Sequence, residues 1–402
     1  MLHKTTVQEK KVFSWVFRRS PLFFAIPFVI LIRLFSPIVL IRIGQINAGR
    51  IGHFAMDVEL SLLKRKISSK SFCLPITIDL YFVYGTPSNL YLMKLWKQKI
   101  NFYPKWLLHP IHRLNVRIPG FRKFDTFNGI SHTDLTLLDK FEPSLKMSQH
   151  DEDASLSELK HIGIFQDDKI VCLSVRDSEY LRVTFSDTDW SEHNHRDSKI
   201  TTYVEAAELL ASMGYKVVRM GKIVADKFQS SNTSVIDYAN SSIRSDMLDV
   251  YLFSHAKFII TTSTGMDFLG AIFRVPMGLV NVVSPVSIFK GDLLKSYQPK
   301  EIVDSESGKH ISLEELIKLG YNELYNKSDF DAINVAFIDN STKDLCNFFS
   351  ELELSYRNNA PIQYASRLIP ILEKYNIRND NWAKLSPSWL INHPYFLAGE
   401  RL

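Results

Sequence analysis

The stretch FIITTSTGMDFLGAIFRVP, residues 258–276, decides the fold. It opens with a short run of aromatic and β-branched residues, the composition of a strand that is buried on both faces. Small hydroxyl residues and a glycine follow, and apolar residues then return at a helical spacing from Phe268 to Phe273. Pro276 predicts the end of that helix. MGLVNV at 277–282 predicts the next strand, so this region is typical of a parallel sheet.

The turn in this stretch is a candidate anion site. In a parallel sheet it lies at the carboxyl end of a strand and the amino end of a helix. Backbone N–H groups and the helix dipole favour an anion there, most often a phosphate. The hydroxyls of Ser263 and Thr264 would add donors, and Gly265 lets the backbone approach closely. We therefore expect the phosphates of an activated donor at Ser263, Thr264 and Gly265.

Strands and helices alternate along much of the chain, which predicts an α/β fold with doubly wound parallel sheets. A helix that Ser245 caps is one of several helical patterns between these strands. We predict two Rossmann-like domains that face each other across a cleft, with an N-terminal membrane-surface segment. The runs that predict strands lie at 38–44, 76–84, 113–118, 169–175, 215–220 and 234–237.

The 402 residues divide at a polar, weakly periodic region near 145–168, which predicts the linkage between domains. The predicted parts are a basic and apolar membrane-associating segment at 1–36, an N-terminal Rossmann-like acceptor domain at 37–165, a C-terminal Rossmann-like donor domain at 166–350 and a helical, aromatic segment at 351–402. Within the last part, 364–375 predicts a terminal helix.

Positive charge is concentrated at the N-terminus. The formal net charge is +5, yet residues 1–50 hold eight Lys and Arg against Glu9 alone, which leaves 40 basic against 42 acidic residues in the remainder. This distribution excludes a general nucleic-acid surface. With 46% apolar and 23% charged residues, the chain has the composition of a globular protein.

The apolar run PLFFAIPFVILI at 21–32 follows these basic residues. It is shorter than the roughly 20 residues that a spanning helix needs. We interpret it as a peripheral membrane-surface anchor on the cytoplasmic face of the inner membrane, attracted to anionic lipid. A helix packed on the protein's own core is the alternative. A cleaved signal is disfavoured because Arg33 follows where small residues would mark a cleavage site.

The sequence contains no strong signal for a metal site. The three cysteines are far apart and form no C-x-x-C, which suits a reducing compartment. Asp151-Glu152-Asp153 and Asp187-Thr188-Asp189 lie in polar surroundings, and His193, His195 and Asp197 have no further ligands at a recognisable spacing. We therefore expect no metal and no cofactor.

Much of the region between residues 38 and 285 resembles a family of bacterial glycosyltransferases of the two-Rossmann-domain GT-B type. The resemblance implies a nucleotide-sugar donor in the C-terminal domain, an acceptor in the N-terminal domain and no required metal. The stretches that carry it are GRIGHFAMDVEL at 49–60, LSVRDSEYL at 173–181, HRDSKITTYVEAAELLASMGYKVVRMGK at 195–222, VIDYANSSIRSDMLDVYLFSHAKFIITTSTGMD at 235–267 and FRVPMGLVNVV at 273–283.

Basic residues follow two of the predicted strands. Arg176 leaves its strand at the carboxyl end, where a guanidinium can bind a diphosphate with two hydrogen bonds and stabilise charge on a leaving nucleotide. Arg219 and Lys222 end the next strand and suggest the same role in donor binding. The alternatives are an interdomain salt bridge for Arg176 and a solvated surface residue for Lys222.

His53 and Asp57 are candidate catalytic residues in the first turns of a predicted helix. Their four-residue spacing places them on one helix face, where they can act as a general base and its orienting partner. The alternative is a helix-end hydrogen bond for His53 and a solvated Asp57. Arg50, in the preceding turn, is the predicted acceptor contact.

The loop after the predicted strand at 234–237 contains Asp237, Tyr238 and Arg244. A loop in this position commonly holds the base and ribose of a nucleotide, so we assign these residues to donor binding by analogy. Asp267 has two interpretations, as a partner of the helix dipole or as a contact to a hydroxyl of the donor sugar.

These features lead to one expected function and two alternatives. We expect a metal-independent, inverting glycosyltransferase (a hexosyl- or related transferase) that moves a sugar from a nucleotide to a cell-surface glycan or a lipid-linked acceptor. A sugar-nucleotide epimerase or hydrolase of the same fold is the first alternative. A non-catalytic partner that binds a nucleotide or a glycan is the second.

Overall fold

The computed structural model describes residues 22–68, 75–131, 135–283, 288, 290–358, 373–374 and 384–397. The chain forms two compact units, 1–130 and 131–402. This division precedes the predicted domain boundary at 165. Each unit is described by itself below.

The first unit contains two parallel strands and four helices within its described residues. The strands pair along their whole length, and Arg42 forms an ion pair with its register partner Asp79 through two hydrogen bonds of 2.7 and 2.9 Å. The elements are helix α1 (22–34), β1 (Val39–Asn47), α2 (Ile51–Ser68), β2 (Ile76–Tyr84), α3 (Leu90–Trp96) and α4 (Lys105–Asn115).

This unit corrects one strand prediction. Residues 113–118 were predicted as a strand, but α4 runs to Asn115. Buried Leu108 and Ile111 lie three residues apart on its inner face, which is a helical spacing, and they pack with Ile43 and Phe82 of the two strands. The parallel strand pair is extended only by single bridges, from Ile43 to Asp125 and from Tyr81 to Phe102. Within the described residues, the first unit therefore has a smaller sheet than the complete Rossmann-like domain that was predicted.

The second unit is built on six strands that are all parallel. Their spatial order is β5-β4-β3-β6-β7-β8, and buried apolar residues fill the strands, as a sheet covered on both faces requires. The strands are β3 (Lys169–Ser174), β4 (Tyr215–Arg219), β5 (Val235–Ile236), β6 (Phe258–Thr261), β7 (Met277–Val282) and β8 (Leu294–Pro299).

This order is that of a Rossmann sheet, since the chain proceeds outward from β3 to β5 and then returns to the centre for β6. The order reverses between β3 and β6, which are neighbours. In open α/β sheets, ligands bind outside the carboxyl ends of the strands at this reversal. The fold-class prediction of an α/β chain with a central doubly wound parallel sheet is therefore confirmed for this unit. The facing arrangement of two such domains stays a prediction.

Helices and a second small sheet complete the unit. The antiparallel pair β9 (Glu301–Asp304) and β10 (Val335–Ile338) lies beyond the main sheet in sequence. Helix α12 (Thr342–Asn358) packs its buried Leu345, Phe348 and Leu352 into the same core cluster as α7 (Val204–Ser212). The helices are α5 (Gln149–Leu159), α6 (Glu179–Thr184), α7 (Val204–Ser212), α8 (Asp246–His255), α9 (Asp267–Ile272), α10 (Leu313–Lys318), α11 (Lys327–Asp331), α12 (Thr342–Asn358) and α13 (Pro387–Asn392).

The predicted linkage at 145–168 contains helix α5, which belongs to the second unit. Ser148 caps this helix by accepting a hydrogen bond from the Asp151 N–H. Met147, before the helix, is buried and its sulfur accepts a contact from Ser254 of α8 at 3.8 Å. The polar composition that indicated a linker reflects the solvent face of this short helix. The predicted terminal helix at 364–375 lies outside the described residues except for 373–374, which are helical.

Candidate functional site

The turn after β6 is held by a buried carboxylate. Asp267 is fully buried, and its Oδ1 accepts hydrogen bonds from the hydroxyls of Thr261 (2.5 Å) and Thr264 (2.9 Å). Its Oδ2 accepts a third hydrogen bond, of 2.7 Å, from the backbone N–H of Thr264. Burial raises the pKa of Asp267 to about 7, against the effect of these hydrogen bonds. Asp267 is thus an internal support of the turn.

This arrangement limits the donors that the turn can offer to a phosphate. Helix α9 begins at Asp267 and has only six residues, so its dipole is small. The N–H of Thr264 donates to Asp267, and the N–H of Met266 donates to the Thr264 hydroxyl at 3.2 Å. The N–H groups of Thr264 and Met266 are therefore used inside the turn. The predicted phosphate contacts at Ser263, Thr264 and Gly265 stay a prediction.

Ser263 is the strained residue of this turn. It has a φ of 61°, in the left-handed region that residues with a side chain seldom adopt. Its carbonyl accepts a hydrogen bond of 2.7 Å from Arg196 Nη2. The other terminal nitrogen of Arg196 donates to the hydroxyl of Tyr325 at 2.8 Å, and the guanidinium lies 5.6 Å from the centre of the Tyr325 ring. Arg196 thereby places a positive charge beside the end of β6.

Arg176 places a second guanidinium beside the neighbouring strand. It follows β3 by two residues, and its backbone N–H donates to the Thr262 hydroxyl at 2.8 Å, which ties the ends of β3 and β6 together. Its side chain is 14% exposed, and Nε lies 3.1 Å from Asp197 Oδ1. The orientation leaves both atoms without a well-formed hydrogen bond, although both are buried. Burial and the charge of Arg196 lower the pKa of Arg176.

Lys300 adds a third cation to this edge of the sheet. It follows β8 directly and is 4% exposed. Its ammonium donates to the Asp197 carbonyl at 2.7 Å and lies 2.7 Å from Asp339 Oδ1. Lys300 and Arg176 thus hold the same segment at Asp197, one through its backbone and the other through its carboxylate.

The pKa of His195 reflects its burial and the positive charges of its neighbours. Burial, followed by the charges of Arg196, His193, Lys300 and Arg176, lowers the pKa of His195 to about 4. The imidazole is therefore neutral near pH 7, and it packs against the rings of Phe330 and Phe337 at 5.4 and 6.1 Å between centres. Both of its ring nitrogens are buried without a hydrogen-bond partner among the described residues.

We call Arg176, Arg196, Lys300 and His195 the cationic cluster. Three of its members carry positive charge next to the reversal point of the sheet, and they come from segments that follow β3, precede α7 and follow β8. Sequence analysis predicted only Arg176. Lys300 follows β8 directly, as Arg176 follows β3, but β8 was not predicted as a strand, so the same argument could not identify it. No local pattern marked Arg196, and His195 was considered only as a metal ligand.

Arg219 and Asp237 form an ion pair at the end of β4. Arg219 is 1% exposed, and its Nη1 lies 3.2 Å from Asp237 Oδ1 and 2.7 Å from the Asp226 carbonyl. Asp177 lies on the other side, 3.8 Å from Nη2. Carboxylates thus enclose the Arg219 side chain in this conformation, and its predicted contact with a phosphate stays a prediction.

Tyr238 and Arg244 converge on Asp249 of α8. Tyr238 is fully buried and donates a hydrogen bond of 3.1 Å to Asp249 Oδ1, while Arg244 pairs with the other carboxylate oxygen. Burial raises the pKa of Asp249 to about 6 even with this arginine present. The structure therefore uses Tyr238 as a core residue. Lys222 is more accessible, with 37% of its side chain exposed and Asp246 at 3.6 Å.

The candidate catalytic pair lies in the first unit. Both residues belong to one helix, as their four-residue spacing predicted. His53 Nδ1 is 3.4 Å from Asp57 Oδ2, and both residues are on α2. The His53 side chain is 35% exposed, whereas that of Asp57 is 12% exposed. Arg50, just before the helix, is exposed. An accessible imidazole with a shielded carboxylate behind it is the arrangement expected of a base and its orienting partner.

One group among the described residues has the composition of a metal site, and it was not predicted. Glu301, Asp344 and His393 have ligand atoms within 4.8 Å of one another. The two imidazole nitrogens of His393 face different carboxylates, Asp344 at 3.3 Å and Glu301 at 3.9 Å. Asp344 also accepts hydrogen bonds from Ser341 and Asn392. These contacts attach the segment around His393 to α12.

No family model matches the chain, and no curated protein matches it. Several solved structures of glycosyltransferases are similar. The Escherichia coli ADP-heptose lipopolysaccharide heptosyltransferase II is 14% identical, with a TM-score of 0.37 over 67% of this chain and 93% of that one. The family 9 glycosyl transferase of Veillonella parvula is 10% identical, with a TM-score of 0.36 over 60% and 81%. The iron-containing dodecameric glycosyltransferase TibC of enterotoxigenic E. coli is 15% identical, with a TM-score of 0.32 over 64% and 62%. These TM-scores are too low to carry an argument about this chain.

Proposed function

We propose that this protein is a glycosyltransferase whose nucleotide-sugar donor places its diphosphate at the cationic cluster. The observation that supports the proposal is the presence of Arg176, Arg196 and Lys300 at the reversal point of a Rossmann sheet. This point is the general ligand position of such folds. The resemblance of the sequence to GT-B glycosyltransferases favours a nucleotide sugar over other anions.

The chemistry assigned to the cluster is stabilisation of a leaving group. In the transfer, an oxygen of the acceptor forms a bond to the anomeric carbon, and the bond from that carbon to the diphosphate oxygen breaks. The electron pair of the broken bond remains on the diphosphate, whose negative charge therefore increases. Preorganised guanidinium groups stabilise such charge best where water is excluded, as it is around Arg176. Two guanidinium groups and an ammonium supply this charge without a metal.

The acceptor side of the proposal rests on His53. Direct displacement inverts the anomeric configuration and requires a base that removes the proton of the acceptor hydroxyl. His53, with Asp57 behind it, is the candidate base, and Arg50 is the candidate contact to the acceptor. The two-domain GT-B arrangement and a glycan or lipid-linked acceptor bound by the N-terminal domain belong to this proposal.

Binding of nucleotides tests the donor site directly. Isothermal titration with ADP, UDP, GDP, CMP and dTDP, with and without magnesium, should give one preferred nucleotide whose affinity does not depend on the metal. ADP-heptose belongs in the panel as the donor named for one of the similar structures. Arg176→Ala should weaken the preferred nucleotide at least about tenfold, since a hydrogen bond to a charged group contributes roughly 1.5–3 kcal/mol. Arg182→Ala is the matched control, because that arginine is 71% exposed and pairs only with Glu179 among the described contacts.

Turnover separates the proposal from its alternatives. Product analysis with the preferred nucleotide sugar should show transfer only when an acceptor is added. Sugar release or epimerisation without an acceptor would indicate the epimerase or hydrolase class. Binding of the nucleotide without turnover under any condition would indicate a non-catalytic partner. If no nucleotide binds at millimolar concentration, the proposed donor site is excluded.

A further inference from the structure

Helix α1 of the first unit uses only a narrow face to contact the protein. Ala25 and Val29 are 1% and 2% exposed, and Ile32 packs beside them against the cluster that contains Ile43 and Phe82. These three residues recur at intervals of four and three, which is one stripe of a helix. The stripe attaches the helix firmly to the sheet of this unit.

The rest of the helix surface is apolar and exposed. The most exposed side chains are Phe24 at 77%, Phe23 at 71% and Leu34 at 67%. Isolated apolar residues on a surface are ordinary, but a continuous apolar patch marks an interaction site. Further members of the patch, all at least 42% exposed, are Ile26, Phe28, Ile30, Leu31, Phe35 and Ile38.

The only charged residue of this helix is turned toward the protein. Arg33 donates hydrogen bonds to the Asn115 side chain at 2.9 Å and to the Pro119 carbonyl at 2.9 Å, and its guanidinium lies 5.0 Å from the centre of the Phe124 ring. The outer face of α1 therefore carries no charge. A binding partner meets only hydrocarbon there.

Basic residues border this apolar face. Segment 105–124, which contains α4, holds five Lys and Arg and no Asp or Glu. It packs on the same core as α1, and Lys123 lies 3.4 Å from the hydroxyl of Ser36, just beyond the end of α1. Trp106 in this segment is 76% exposed, a residue type typical of membrane interfaces. The five basic residues, all exposed, are Lys105, Arg113, Arg117, Arg122 and Lys123.

We propose that the outer face of α1 and this basic border dock on the surface of an anionic phospholipid bilayer. None of the helices in the described part of the chain is long and apolar enough to cross a membrane. Residues 22–34 span about 20 Å as a helix, so the helix lies in the interface plane with its apolar side chains among the lipid acyl chains. The basic border then faces the phosphate groups of the lipids, and this charge complementarity favours lipid over a protein partner. The inference is independent of the proposed sugar transfer.

Co-sedimentation with vesicles tests this docking. The full-length protein should bind vesicles of phosphatidylcholine with one quarter phosphatidylglycerol, bind pure phosphatidylcholine vesicles much more weakly, and lose affinity as salt is raised. Trp106 should be quenched by brominated lipid, and Trp106→Phe should remove that part of the quenching. Equal binding to both vesicles, or binding to neither, would overturn the proposal.

Substitutions at exposed positions distinguish the contribution of the apolar face to vesicle binding from that of the basic border. The double variant Phe24→Asp and Leu31→Asp should abolish vesicle binding while the thermal unfolding temperature stays unchanged, because both side chains are exposed. Ile391→Asp is the matched control, at an apolar residue of the second unit that is 78% exposed. Arg113→Glu with Arg117→Glu should weaken binding to anionic vesicles roughly tenfold or more, whereas Lys160→Glu with Lys169→Glu, at exposed lysines of the second unit, should not.

Light scattering without lipid tests whether a second copy of the chain, instead of a membrane, covers the apolar face. The proposal expects the same molar mass for the wild-type protein and for the Phe24→Asp and Leu31→Asp variant. A wild-type dimer that becomes a monomer in this variant would assign the face to contact between copies of the chain and overturn the membrane proposal.

Discussion

The backbone N–H of Thr264 donates a 2.7 Å hydrogen bond to Oδ2 of Asp267. This contact places a carboxylate at the end of β6, where the sequence predicted a phosphate. The same turn holds Ser263 in a left-handed conformation with its carbonyl directed to Arg196. The turn thus directs a backbone carbonyl to a cation, and the predicted phosphate contacts at Ser263, Thr264 and Gly265 stay a prediction.

The buried Asp267 should make stability depend on pH. Its pKa is raised by burial to about 7, while an aspartate in an unfolded chain titrates near about 3.9. Between these values the folded state retains a proton that the unfolded state has released, so the free energy of unfolding falls as the pH rises from about 4 to about 7. The loss should be on the order of a few kcal/mol and smaller in Asp267→Asn. Urea unfolding at pH 4.5 and 7.5 measures it. Asp331→Asn, at an exposed carboxylate, is the control, and equal pH dependence in all three proteins would contradict the assignment.

Arg196 should matter to nucleotide binding more than its partner Tyr325. The guanidinium contacts the Ser263 carbonyl and the Tyr325 hydroxyl, and it belongs to the cationic cluster. Arg196→Ala should raise the Kd of the preferred nucleoside diphosphate at least about tenfold, because it removes a charge-assisted contact. Tyr325→Phe removes only the hydroxyl and should change the Kd by less than about threefold. An unchanged Kd in Arg196→Ala would exclude this residue from the donor site.

His53 should affect the chemical step without affecting donor binding. A general base contributes roughly 10²–10⁴-fold to a rate, so His53→Ala should lower kcat by this factor and leave the nucleotide Kd unchanged. Asp57→Asn should lower kcat by less, because the imidazole remains 3.4 Å away but loses its charged partner. His150→Ala is the matched control, since His150 also lies beside an aspartate but its side chain is 91% exposed. A normal kcat in His53→Ala would remove the base assignment.

The network around Asp344 should protect the fold against acid. Burial alone would raise the pKa of Asp344, but His393 beside it and hydrogen bonds from Ser341 and Asn392 lower that pKa to about 2. Because the folded pKa lies below the unfolded value of about 3.9, this stabilisation is present above pH 4 and is lost as the pH falls toward 2. His393→Ala should therefore lower the free energy of unfolding at pH 5 and reduce its decline between pH 4 and 2. Parallel stability curves for the two proteins would contradict this prediction.

Local pattern was sufficient for most of the strands, and among the six strands of the central sheet it missed only β8. The composition of β6 and the helical spacing after it predicted the strand, the turn and α9, and the alternating run at 76–84 has the same bounds as β2. Buried strands and capped helices are specified by residues that are near in sequence, so these elements can be read without the fold. The prediction at 113–118 was wrong because a short apolar run does not distinguish a strand from the end of a helix.

The site depended on information that local pattern does not contain. Arg176, Arg196 and Lys300 converge only because β3, β6 and β8 lie in one sheet with a particular order. Burial also separates residue types that look alike in sequence: Arg219 is enclosed by carboxylates, whereas Arg176 lies at the reversal point of the sheet. The sequence by itself determined the α/β alternation, the strand-turn-helix stretch at 258–276 and the apolar, basic N-terminal region. The tertiary structure decided which cations meet and which face of α1 remains exposed, because both depend on contacts between residues far apart in the chain.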